Sequence, residues 1–174
     1  MDKSVIDEFE LGGQILADSI AGLTEGELQK IPADGSWSIK QILVHMLDSD
    51  LVGADRMKRV IAENNPTLLA YDETAFANSL FYQETDTGLV RDLFRMNRRY
   101  IASILRRIPA SSFARFGQHT ETGQKTLEDL VRNYVDHLNH HLTFIYRKSS
   151  ELGKPLVPQL GIDPAPAREF ITNI

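Results

Sequence analysis

Apolar residues recur every three or four positions along most of this chain, a spacing that predicts helices almost throughout. Val5, Phe9, Gly12, Leu16, Ile20 and Leu23 form one such stripe, the buried face of a first helix. Gly12 and Gly13 are adjacent within it, which lowers helix propensity and points to close approach of another helix. Thr24, Gly26 and Pro32 then mark a connection. Ser38 followed by Gln41 reads as a capping box that opens a second helix. Its stripe of Ile39, Ile42, Met46, Gly53, Met57 and Val60 ends near Asn64-Asn65-Pro66.

The polar stretch from Thr67 to Asp86 predicts a long loop with one short helix. A third helix is expected from about Thr87 to Ile108, with Val90, Leu93, Phe94, Ile101, Ile104, Leu105 and Ile108 on its apolar side and Pro109 as its stop. The segment from Ala110 to Lys125 is rich in Ser, Gly, Gln and Thr and reads as a loop. Thr126 with Asp129 resembles another capping box, opening a fourth helix that runs to about Ser150 and ends at Gly153. No strand pattern stands out. The fold class expected is all-α, a four-helix bundle over residues 1–152 of a single domain spanning 1–174. Pro155, Pro158, Pro164 and Pro166 make the tail from 153 to 174 an extended segment laid over the bundle.

Composition narrows the function. With 19 basic and 24 acidic residues the net charge is −5, which argues against nucleic acid as a partner. Six arginines between Arg91 and Arg107 include Arg91, Arg95, Arg98, Arg99 and Arg106; their helical phase places most of them on a solvated outer face. No apolar run approaches the ~18 residues of a membrane span. The start, Met1-Asp2-Lys3-Ser4, lacks the basic and apolar segments of a secretory signal, so a soluble cytoplasmic protein is expected. The chain has no cysteine, which removes disulfides, thiolate nucleophiles and Cys-based metal sites. Any metal must therefore rest on His, Asp or Glu.

Three of the five histidines fall within five positions: His137, His140 and His141. At ~100° per residue, His141 lies about 40° from the centre of the fourth helix's apolar stripe, His137 about 80° and His140 about 140°. His137 and His141 thus share a face one turn apart, a spacing that lets two imidazoles grip one ion. Leu138 stands where a zincin helix carries its glutamate, so that motif's general base is absent. His45 lies roughly 110° from the centre of the second helix's stripe, where it faces a groove between helices and can close on the same ion.

Three segments resemble a known family. Gly35-Ser36-Trp37-Ser38-Ile39-Lys40-Gln41-Ile42-Leu43-Val44-His45-Met46-Leu47-Asp48-Ser49, Tyr71-Asp72-Glu73-Thr74-Ala75-Phe76 and Asp136-His137-Leu138-Asn139-His140-His141 are similar, in order and spacing, to segments of the DinB/YfiT-like metal-dependent enzymes. The resemblance covers roughly residues 1 to 150. It implies a four-helix bundle, often a homodimer, with a divalent metal on three histidines, here His45, His137 and His141.

Zn²⁺ or Ni²⁺ heads the candidates, with Fe and Mn behind, since ligand type alone does not select among them. Members of that family include thiol transferases, and the first expectation is transfer of a low-molecular-weight thiol to an electrophilic small molecule. The alternatives are hydrolysis of a small ester or amide, and a non-enzymatic, stress-linked metal- or small-molecule-binding bundle. Asp48, one turn from His45, is a candidate to accept its ring N–H or act as a base. Tyr134, one turn before His137, is a candidate to orient substrate. Trp37 is expected to staple the start of the second helix, and Asp72 and Glu73 to cap a short one. His119 and Glu121 are expected at the surface, with the mouth of a site as the other reading.

Overall fold

The computed structural model describes residues 2–155. Four long helices dominate: α1 (Lys3–Asp18), α3 (Ile39–Ala62), α5 (Thr87–Leu105) and α6 (Leu127–Glu151), with the short helices α2 (Glu25–Leu28) and α4 (Glu73–Ser79) between them. α1 packs on α5 and α6, and α3 packs on the same two, so the order around the bundle is α1, α5, α3, α6. This is the four-helix bundle that the stripes predict. The prolines from Pro158 onward lie outside the described residues.

The capping signals act where they are read. Ser38 Oγ accepts from the Gln41 amide at 3.1 Å while Gln41 Oε1 accepts from the Ser38 amide at 2.9 Å. Thr126 and Asp129 make the same reciprocal pair at the start of α6. α5 stops at Leu105, one turn short of the expected Ile108. The residue before Pro109 is disfavoured in the helical region, so the last turn opens early.

Two expectations change. The segment between α5 and α6 is not a plain loop: it holds a 3-10 turn (Ala110–Ala114) and a hairpin of β2 (Phe116–His119) and β3 (Gly123–Thr126). β1 (Thr67–Leu68) adds to β2 in parallel, giving a three-stranded sheet in the order β1-β2-β3. These strands are two to four residues long and carry no alternation of apolar and polar positions, so nothing in their pattern distinguishes them from loop. Backbone approach holds them: a Cβ on Gly117 would lie 2.8 Å from the Pro66 carbonyl oxygen.

Arg98, expected on the outer face, is fully buried. Its guanidinium donates to both carboxylate oxygens of Asp50 (2.7 and 2.9 Å), to the Tyr134 carbonyl (2.7 Å) and to the Phe9 carbonyl (3.3 Å). The Phe9 and Phe94 rings lie 4.7 and 4.6 Å from it. One side chain on α5 therefore reaches α1, α3 and α6. The close approach foreseen at Gly12 is made here, because a Cβ there would overlap Arg98 and Leu138.

Candidate metal centre

α3 and α6 lie side by side, and their shared groove gathers His45, His137 and His141. The Nε2 atoms of His45 and His137 are 3.3 Å apart, and those of His137 and His141 are 3.0 Å apart. Ligating nitrogens of all three lie within 4.8 Å of one another. The positions follow from helical phase, with His137 and His141 one turn apart on α6 and His45 on the facing edge of α3. His140 is half-buried with its ring against Phe144 (4.9 Å) and stays outside the cluster.

Burial sets the charge of this cluster. His45 and His141 are 0 % exposed and His137 is 7 % exposed. Burial pushes His45 down to about 4, and it holds His137 and His141 well below the ordinary histidine range, helped by the neighbouring imidazoles. The rings are therefore neutral near pH 7, with nitrogen lone pairs available. The Nδ1 atoms of all three have no hydrogen-bond partner among the described residues.

Three convergent neutral imidazoles suit a first-row divalent ion. Two nitrogens bound at 2.0–2.1 Å with tetrahedral angles are about 3.3 Å apart, the separation seen here between His45 and His137. The donor set suits a metal ion, with two of the nitrogen pairs near that spacing and the third imidazole within side-chain reach.

Around the cluster, Trp37 and Glu73 form part of the wall. The Trp37 ring lies 5.2 Å from the His45 ring, so this residue contacts the site as well as packing in the core at the start of α3. Asp72 caps α4, its Oδ1 accepting from the Ala75 amide at 2.8 Å, as its place before a short helix predicts. Glu73 does something else. Its Oε2 reaches within 4.0 Å of His45 Nε2, and burial raises its carboxyl above the usual range. Sequence reasoning assigned Glu73 to capping; its position one residue inside the cap, facing α3, is the signal that was available.

Asp48 makes its hydrogen bond to a residue other than His45. Its Oδ2 accepts from the Tyr82 hydroxyl at 2.7 Å, while His45 Nδ1 has no partner among the described residues. Tyr134 is buried, its ring centroid 6.2 Å from that of His137, and its hydroxyl accepts from Arg56 Nη1 at 3.3 Å.

A cleft of about 340 Å³ opens from His137 to the surface. Tyr71, Glu73 and Tyr134 line it, together with His119, Glu121 and Lys125 from the hairpin. His119 and Glu121 therefore belong to the wall of the opening rather than to remote surface. The cleft is large enough for a small organic molecule.

Comparison with known proteins agrees with this geometry. Residues 8–145 match the DinB superfamily. The chain belongs to that superfamily. Two relatives are a protein of Halalkalibacterium halodurans, 30% identical over 123 residues and 71% of each chain, and YfiT of Bacillus subtilis, 29% identical over 140 residues, 79% of this chain and 78% of that one. Both are provisionally named metal-dependent hydrolases. The solved structure of YfiT, described as a four-helix bundle of unusual topology, superposes with a TM-score of 0.81 at 26% identity over 86% of each chain. A further DinB-like structure from B. subtilis shares the fold, with a TM-score of 0.61 at 17% identity, covering 86% of this chain and 92% of that one.

Proposed function

We propose that the protein is a metal-dependent enzyme in which His45, His137 and His141 hold one divalent ion, and that it transfers an external low-molecular-weight thiol to an electrophilic small molecule in the adjoining cleft. The observation that carries this reading is the convergence of three buried, neutral imidazoles, one of which, His137, lines an open cleft. A divalent ion there would supply the positive charge that lowers the pKa of a thiol or water and polarises an electrophile. The nucleophilic sulfur must be external, since the chain contains no cysteine.

The protein's own groups carry the rest. The Glu73 carboxylate is placed beside His45 to accept the proton released by the thiol. Sulfur then attacks the electrophilic carbon, the C–S bond forms, and the bond to the leaving group breaks with its electron pair. Protonated Glu73 or solvent returns a proton to the leaving group. Trp37 screens the His45 side of the cluster from water, and Arg98 fixes the α6 backbone at Tyr134, one turn before His137.

Hydrolysis is the second reading, favoured by the names of the relatives. Water replaces the thiol, Glu73 accepts its proton, an O–C bond forms, and the ester or amide bond breaks with protonation of the leaving group. To separate the two, zinc-loaded protein is incubated with a chloro- or ester-bearing electrophile, with and without a small thiol. Thiol-dependent consumption supports transfer, and thiol-independent cleavage replaces it with hydrolysis. Glu73→Gln is expected to lower either turnover roughly 10²–10⁴-fold while metal content stays near one ion per chain. Full activity in Glu73→Gln removes its proton-accepting role, and a protein that binds no metal removes the whole reading.

A further inference from the structure

Two cations line the cleft outside ion-pair distance of any carboxylate among the described residues, although Arg56 acts on Glu73 and Lys125 on Asp129 through space. Arg56 projects from α3 on the same face as His45, eleven residues and about three turns further on. Its Nε and Nη2 donate to the Leu69 carbonyl and its Nη1 to the Tyr134 hydroxyl, so three of the five N–H groups are used and two remain. Lys125, on β3, also lines the cleft. Neither forms an ion pair among the described residues. The Tyr71 hydroxyl, buried in the same wall beside Ser49, lacks a well-formed hydrogen bond among the described residues.

The carboxylates lining the cleft are engaged differently. Glu73 is turned to His45, and Asp129 Oδ2 accepts from the Thr126 amide and hydroxyl at 2.9 and 2.6 Å. Glu121, on the hairpin turn, is an exposed acidic group that opposes an incoming anion.

We propose that this part of the cleft is an anion subsite, in which Arg56 and Lys125, with the Tyr71 hydroxyl, hold a carboxylate group of the molecule whose reacting end lies at the histidine cluster. The proposal rests on the function assigned above for what happens at that reacting end, but not for the binding of the anion. Arg56 is suited to the role because its guanidinium is already held in place by Leu69 and Tyr134, so little side-chain freedom is lost on binding. Tyr134 couples the two ends, touching Arg56 through its hydroxyl and facing His137 with its ring. Charge-assisted hydrogen bonds in such a partly enclosed site give roughly tenfold or greater discrimination against a neutral analogue.

The test is calorimetric titration of the full chain, metal-free and zinc-loaded, with butyrate, butyramide and butylamine. Butyrate is expected to bind roughly tenfold tighter than butyramide in both forms. Lys125→Gln, whose side chain makes no hydrogen bond or ion pair among the described residues, is expected to remove most of that preference, Arg56→Gln to remove it as well, and Glu121→Gln to increase it. Competition with 3-mercaptopropionate identifies the source of the carboxylate. Displacement of butyrate assigns it to the thiol, and simultaneous binding assigns it to the electrophile. Equal affinity for butyrate and butyramide in the metal-free chain, tighter binding of butylamine, or a preference unchanged in both Lys125→Gln and Arg56→Gln overturns the subsite. Because the metal-free chain is measured, those results are independent of whether zinc is bound or turnover occurs, which elemental analysis and the thiol assay report separately.

Discussion

Arg98 and Asp50 form a fully buried ion pair at the crossing of all four long helices. Desolvation of two charges offsets much of their attraction, so the pair by itself contributes little net stability. Removing one partner is a different matter, because the other charge is left buried alone. Arg98→Met is expected to cost about 3–5 kcal/mol. Arg98→Met combined with Asp50→Leu, which replaces both charges by apolar groups of similar size, is expected to recover much of that loss. Urea denaturation of the wild type, both single variants and the double variant reads the coupling directly. Losses that simply add would mean that the two residues act independently. Nothing in sequence distinguished Arg98 from its exposed neighbours, since an arginine on a mostly polar face carries the same pattern whether or not a carboxylate waits opposite it. Asp50, 48 residues distant in sequence, supplies that partner only through the fold.

At the level of elements, α3 and α6 matter most, because their separation sets the distance between His45 and the pair on α6. Gly53 marks their close approach. A Cβ there would overlap the Tyr134 ring, and a buried aromatic ring cannot yield without moving its helix. Gly53→Ala is expected to destabilise the fold by about 1–3 kcal/mol and to weaken zinc affinity, since α3 must shift away from α6. Gly26→Ala on α2 serves as the comparison, because a Cβ at Gly26 meets nothing within 4 Å. Zinc titration and thermal melts of both variants check this; undiminished zinc affinity in Gly53→Ala would remove the link between this contact and the site. Much of this arrangement was legible in sequence. The stripes and capping boxes located α3 and α6, and phase arithmetic put His137 and His141 on one face and His140 off it. Glu73 was less legible, because a carboxylate next to an N-cap has an adequate local explanation. The sheet was illegible, since its strands pair through backbone geometry at Gly117 rather than through side-chain alternation.

For the molecule as a whole, the same burial that keeps three imidazoles ready for a metal makes the metal-free fold sensitive to acid. In the unfolded chain each histidine titrates near 6.5. In the fold His45 is held down to about 4, and His137 and His141 are also held well below 6.5. Below pH 6.5 the unfolded chain therefore binds protons that the folded chain does not, and stability falls as pH drops. For His45 that fall continues until about pH 4, where the folded imidazole also protonates. Each such histidine contributes a slope of at most about 1.4 kcal/mol per pH unit. A divalent ion acts in the opposite direction by binding only the folded, neutral cluster. At a free concentration 100 times its dissociation constant it adds about 2.7 kcal/mol, and a chelator removes that increment. For a chain of this size the change corresponds to a shift in melting temperature of roughly 5–10 °C. Melts of zinc-loaded and chelator-treated protein between pH 7.5 and 5 should show this gap at neutral pH. They should also show it narrowing in acid, as protons compete with zinc for the same nitrogens. In His141→Leu the metal-free chain should lose stability with falling pH less steeply, because one buried imidazole is gone. A chelator that leaves the melting temperature unchanged at pH 7.5, together with an unaltered pH slope in His141→Leu, would separate the cluster from both metal binding and acid sensitivity.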